Sequence, residues 1–255
     1  MSRTEPQFRV KLAETQEELQ AAQRLRYRVF VEELGGDGPL VDHDSGLEAD
    51  RFDPYFDHLI LTVDTRPDEV VGVYRLLRQD QAVRAGQFYS EDEYDLSVLT
   101  SSGRGLLELG RSCLDPAFRG GMAMYHLWTG LARYVADHNI EIMFGVASFH
   151  GTDANALAQP LSLLHHRHLA PDTLRVRARR EAYQSMNLIP EAELDRRAAM
   201  MQVPALIKAY LRMGGYVGDG AFIDHGFNTT DVCLVMDATR MNEKQKNIYQ
   251  KEVVG

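Results

Sequence analysis

The chain has 255 residues, 44% of them hydrophobic and 25% charged, enough for one large domain with a buried core. A formal net charge of −9 excludes a general nucleic-acid binder. Cys113 and Cys233 lack CxxC spacing, which excludes a disulfide framework and fits a reduced cytosolic setting. The polar N-terminus "MSRTEPQFRVKLAETQEELQ" has no signal-peptide core, and no run approaches the ~18 apolar residues of a membrane span. The expected location is cytoplasmic, with peripheral contact at the inner face of the membrane as the furthest it goes toward lipid.

"FRVKLAET" alternates like an edge strand. "TQEELQAAQRLRYRVFVEEL" predicts a helix, with Thr15 as N-cap and Glu18 in capping-box position. Leu19, Ala22, Leu25, Val29 and Phe30 form its apolar stripe. The Gly-, Asp- and Pro-rich stretch from Gly35 to His58 reads as a loop. "HLILTVD" and "EVVGVYRLL", joined by "TRPDE", predict a hairpin. After a mixed segment, "LLELGRSCL" is the next strand, "MAMYHLWTGLARYVADHN" a helix of about five turns, and "IEIMFGVASF" a buried strand. That strand–helix–strand unit needs a parallel crossover, so the sheet is mixed. Residues 151–203 read as a largely helical insertion in a single domain, 1–255, with "TLRVRARR" a strand within it. A helix ending at Gly214 and Gly215, a final strand "DVCLVMDA" and a polar tail complete the chain.

Several polar residues do not fit an ordinary core. Glu108 and Arg111 lie three apart on an apolar strand, where they would face opposite ways. A β-bulge at Gly110 would turn them to one side and free a backbone N–H able to hold an oxyanion; a buried Glu–Arg pair that only fixes the strand is the alternative. The "FRGG" turn before a helix presents N–H groups suited to a phosphate, or is a simple helix start. Glu48, Asp50 and Asp53 crowd one loop, either as a solvated face or as a grip for an ammonium and a general base; only two of the three are expected to share one face. Arg26 lies beside an apolar stripe, and Arg75 ends an apolar strand, where an Arg needs a partner. His165, His166 and His168 lack metal-ligand spacing, so no metal is expected. Arg167, Arg175, Arg177, Arg179 and Arg180 form either a solvated face or a docking patch for an acidic partner.

"RYRVF", "LEADRFD", "GVYRLL", Phe88 and "LELGR", in that order, resemble the signature of acyl-homoserine-lactone synthases. These are a branch of the GCN5-related N-acyltransferase (GNAT) fold, an α/β fold with a mixed central sheet flanked by helices. Gly36 stands near the place of that signature's Trp. "FGVASFHGTD" and "PALIKAYLRMGGYVGDGAFIDHGFNTTDVCLVMD" are similar to ornithine-acyl-carrier-protein N-acyltransferases, over nearly the whole chain.

The resemblance implies transfer of a 3-hydroxyacyl group from acyl carrier protein to the α-amine of ornithine, giving lyso-ornithine lipid. A lactone synthase, or an enzyme acylating glutamine or lysine, is the alternative, and a carrier-binding regulator the non-enzymatic one. The catalytic candidates are Glu108, then Asp50, as base, and Arg111. Arg26, Phe30, Glu48, Asp53, Arg75, Phe88, Ser148 and Phe149 are expected at the acceptor, and Gly110, Ser112, Cys113, Arg119, Gly120 and Gly121 along the acyl-pantetheine arm. No permanently bound cofactor is expected. The family's phosphate motif, Gln/Arg-x-x-Gly-x-Gly/Ala, is imperfect: from Arg119 the chain has Met122 and Met124 for the glycines, and from Phe118 it lacks the leading Arg or Gln. A carrier-protein donor brings one phosphodiester where coenzyme A brings a pyrophosphate, so it tolerates this loss.

Overall fold

The structure, a computed structural model, describes residues 6–38 and 41–241. The tail from residue 242 lies outside them. The chain divides into two compact units, Met1–Ala85 with Leu109–Asn139, and Gly86–Glu108 with Ile140–Asn242.

In the first unit, strand β1 (Phe8–Leu12) lies at the sheet edge, paired antiparallel with β2 (Asp57–Val63), and β2 forms the expected hairpin with β3 (Arg66–Arg78). Between them, helix α1 (Gln16–Arg26) starts where its cap predicts. Thr15 Oγ1 accepts the Glu18 amide at 3.3 Å, and the Glu18 carboxylate accepts the Glu14 amide at 2.9 Å. The expected helix runs on to Glu33, its second half, Tyr27–Glu33, wound as a wider π-helical turn. Ala22, Leu25 and Val29 on this face pack with Ile60, Val70, Val73 and Cys113. A short helix, α2 (Gln79–Ala85), follows β3 and was not expected. The unit's sheet order is β1-β2-β3-β4, where β4 (Leu106–Leu114) begins in the second unit and ends in the first. Helix α3 (Ala123–Asp137) has 15 residues, about four turns.

The second unit continues from β4 to β5 (Ile142–His150), paired parallel over Leu106–Glu108, as the crossover requires. Helix α4 (Ala158–His168), helix α5 (Arg196–Gln202) and helix α6 (Ala205–Arg212) follow. The strand expected at "TLRVRARR" keeps its buried alternation at Leu174, Val176 and Ala178 but shrinks to Arg177–Ala178, paired with Tyr94–Asp95, because 3-10 turns at Asp172–Leu174 and Arg180–Ala182 take up the residues on either side. Asp195 caps α5 by accepting the Arg197 and Ala198 amides. Ile207 and Tyr210 of α6 are buried, so its apolar face packs inward. Gly214, φ 87°, ends it as expected. Strand β6 (Ala221–Asp224), not anticipated, pairs with β7 (Thr229–Asp237), and β7 runs antiparallel to β5. No described helix is long and apolar enough to cross a membrane.

Gly72 on β3 marks how tightly the first unit is packed. A Cβ there would lie 2.7 Å from Leu114 Cδ2, 2.9 Å from Leu127 Cδ1 and 3.2 Å from Leu61 Cβ. Gly72→Ala is expected to cost about 1–3 kcal/mol through overpacking. Denaturant unfolding measures this, and an unchanged midpoint would refute it.

Candidate active site

Arg26 is the last residue of α1, and Gln23 precedes it by one turn on the same face. The loop after residue 48 makes a tight turn in which the Asp53 amide donates to the Asp50 carbonyl at 3.2 Å and Asp50 Oδ1 accepts the Phe52 amide at 2.8 Å. That turn aims Asp50 and Asp53 the same way. Asp53 Oδ1 accepts from Arg26 Nη1 at 2.8 Å and Arg75 Nη1 at 2.7 Å, and its Oδ2 accepts Gln23 Nε2 at 2.8 Å. Arg75 Nη1 also reaches Asp50 Oδ2 at 2.6 Å. Glu48 takes Arg26 Nε at 2.5 Å on one oxygen and Arg111 Nε at 3.1 Å on the other. All three acids therefore join one network, where only two were expected to share a face. The physical reason is the third dimension: Glu48 is reached from α1 and from β4 at once.

Three arginines balance three carboxylates in a nearly dry site, where an incomplete set would leave a buried charge costing several kcal/mol. Arg26 and Arg75 are 0% exposed. Arg75 also stacks 4.3 Å over Phe56. Burial alone would raise the Glu48 carboxyl, but the charges of Arg111 and Arg26 more than offset it and hold it at about 2. Asp53 is likewise lowered, burial being overcome by Arg26 and Arg75. Burial lowers His58, whose Nε2 lies 3.1 Å from the Asp53 carbonyl, so the ring is held neutral.

The network reaches solvent at two side chains, Asp50 at 15% and Arg111 at 18% exposure, with Arg111 Nη2 3.9 Å from Asp50 Oδ2. A carboxylate beside a guanidinium is the complement of a zwitterionic amino acid. The irregularity expected at Gly110 falls one residue later: Arg111 carries φ 48°, a left-handed conformation that costs about 1–3 kcal/mol at a non-glycine residue. A Cβ on Gly110 would meet its neighbours only at 3.9–4.0 Å. Arg111 also lies 5.9 Å from the Phe30 ring. Ser112 follows, its hydroxyl oxygen buried without a hydrogen-bond partner among the described residues. Cys113 points into the core beneath α1, where burial pushes its thiol up to about 12, so it is an unreactive packing residue.

The "FRGG" turn opens with Asp115, which accepts the Ala117 amide at 2.9 Å. Gly120 has φ 77°, and α3 begins three residues later at Ala123 without a side-chain cap. Arg119 is held by Glu33, with both nitrogen–oxygen distances 2.6 Å, and donates to the Leu114 carbonyl at 3.2 Å.

In the second unit, Glu108 is 1% exposed. Its carboxylate accepts the backbone amides of Tyr89 at 2.7 Å and Ser90 at 2.6 Å, and the Ser90 hydroxyl. Glu108 thus anchors the 3-10 turn Tyr89–Asp92, a role that spacing on the strand does not disclose. Arg111 finds its partners at Glu48 and Asp50. Phe88 packs edge-on against Phe144 at 5.0 Å, Phe149 is buried, and Ser148 is exposed. Arg167, Arg175 and Arg177 each pair with an acid, at 2.7, 2.8 and 3.4 Å, which removes much of the positive patch read from the sequence. Glu93, Asp224 and Asp231 bring carboxylate oxygens within 4.8 Å of one another, a grouping drawn from distant segments that no spacing reveals.

Residues 25–129 match the model of the acetyltransferase (GNAT) domain. The chain is 58% identical to the L-ornithine N(alpha)-acyltransferase of Rhodobacter capsulatus, over 97% of this chain and 96% of that protein. It is 42% identical to the Brucella abortus protein of the same name, over 95% and 89%. The chain belongs to the L-ornithine N(alpha)-acyltransferase family. It is therefore an acyltransferase on a GNAT fold. The acyl-homoserine-lactone synthase LasI matches it with a TM-score of 0.52 at 16% identity, covering 96% of each chain. The lactone synthase MesI does so with 0.52 at 13%, covering 94% and 95%. These two likenesses speak to the fold.

Acid should weaken the fold through the network. Groups with depressed folded pKa values contribute stability above their unfolded values and lose it as pH falls. Glu48 contributes fully above its ordinary 4.5 and loses its share toward about 2, roughly 3 kcal/mol in all. His58 adds a loss beginning below its ordinary 6.5. Unfolding free energies measured from pH 7 down to 3 should decline steadily, and a flat profile would refute the network's contribution. Glu108→Gln puts an amide NH2 where two backbone amides donate, and should cost about 1–3 kcal/mol. A thermal or denaturant melt matching wild type would contradict the anchoring role.

Proposed function

We propose that this enzyme transfers a 3-hydroxyacyl group from acyl carrier protein to the α-amine of ornithine, forming lyso-ornithine lipid. The observation that carries the acceptor is near-full-length identity to relatives named for ornithine. The rim of the ion network supports it: Arg111 presents a guanidinium for the amino acid's carboxylate, and Asp50 a carboxylate for an amine. The donor reading rests on the imperfect turn after β4. The donor arrives as an acyl-phosphopantetheine thioester, and no bound cofactor takes part.

The reaction is direct attack of a neutral amine on the thioester. An α-amino group with a pKa of about 8 is roughly one-tenth neutral at pH 7, so a weak base suffices to take the proton during attack. Asp50 has the exposure for this, while the lone pairs of Glu108 are engaged by Tyr89 and Ser90. Backbone amides at the left-handed Arg111 would hold the oxyanion. The buried residues Arg26, Arg75, Glu48 and Asp53 act by positioning Asp50 and Arg111. The product is an acylated amino acid, so release at the inner membrane face follows from its chemistry.

Incubation with 3-hydroxyacyl carrier protein and a panel of amino acids, read by mass spectrometry, should give N-acylornithine. Acylation of glutamine or lysine alone, or a lactone from S-adenosylmethionine, would overturn the reading. Asp50→Asn, folded by circular dichroism, should lose about 10²-fold or more in kcat. Full turnover would remove Asp50 as base.

A further inference from the structure

We infer that Glu33 selects the acyl donor, by occupying the Arg119 guanidinium that a coenzyme A pyrophosphate would need. This rests on the carrier-protein reading above. The turn between β4 and α3 offers a helix N-terminus and a left-handed glycine, Gly120, which suit a phosphate. Its "FRGG" sequence contains one cation, Arg119. That side chain is clamped by both carboxylate oxygens of Glu33 at 2.6 Å, and its Nε is spent on the Leu114 carbonyl.

The neighbouring cations are matched as well. Arg28 Nη2 lies 3.7 Å from Asp115 Oδ2, at the opening of the same turn, and Arg66 Nη1 lies 3.4 Å from that oxygen and 3.5 Å from Glu69 Oε2, so two acids face the two cations. The turn therefore presents backbone dipoles without spare positive charge. Such a site serves one phosphodiester. Coenzyme A, with its pyrophosphate and ribose phosphate, brings roughly four negative charges, and the Glu33 carboxylate stands among the groups it would approach. Glu33 sits at the end of the π-helical turn, and the pair is solvent-reached, with side-chain exposures of 37% for Glu33 and 41% for Arg119. Its contribution to stability is small, so its removal leaves the fold intact.

The test compares kcat/KM for 3-hydroxyacyl-coenzyme A and 3-hydroxyacyl carrier protein, with ornithine as acceptor, in wild type and Glu33→Gln. The substitution should raise the coenzyme A to carrier ratio by about tenfold at low ionic strength, through KM for coenzyme A rather than kcat. The gain should shrink at about 0.5 M salt, where exposed charges are screened. Discrimination that survives Glu33→Gln within about twofold overturns this inference alone. A wild-type enzyme that uses both donors equally overturns the donor reading and the inference with it.

Discussion

One oxygen of Asp53 accepts from both Arg26 and Arg75, and much of the first unit hangs on that shared bond. It ties the end of α1 to the end of β3 through a loop that has little secondary structure of its own. Buried guanidinium groups are stable only when their charge and donors are matched. Two of them at 0% exposure force the nearby loop to supply acids. The density of carboxylates from Glu48 to Asp53 is thus a consequence of where Arg26 and Arg75 lie.

The same constraint carries outward. Glu48 links buried Arg26 to partly exposed Arg111, and Arg75 links buried Asp53 to Asp50. Each rim residue is held by a member that water does not reach, which fixes it before any substrate arrives. Preorganisation of this kind lowers the cost of orienting a charged amino acid. It also explains how the left-handed backbone at Arg111 persists, since its side chain is pinned by a buried carboxylate.

Glu108 illustrates a different logic. A carboxylate on an apolar strand invites a catalytic reading, yet its oxygens receive backbone amides from the start of a 3-10 turn. Those donors come from residues 18 and 19 positions earlier, so the anchoring is tertiary. Glu33 and Arg119 are likewise 86 positions apart.

Local rules carried far in this chain. The α1 stripe, its Thr15 cap, the pairing of β2 and β3 as a hairpin (though its turn falls at residues 64–65, ahead of most of "TRPDE"), the parallel crossover of β4 and β5 and the stop at Gly214 were all legible, because each depends on residues a few positions apart. The sequence likewise singled out Arg26, Glu48, Asp50, Asp53, Arg75 and Arg111, since charge at apolar or crowded positions is anomalous by itself. It left undecided which charges meet, which are sealed and which reach solvent. Gln23 and His58 joined the network without any signal beyond proximity, and the left-handed backbone fell on Arg111 rather than Gly110. Pairing across α1, the loop, β3 and β4 is set by how those elements pack. An ion network of that kind is a property of distances in space, which spacing along one chain does not contain.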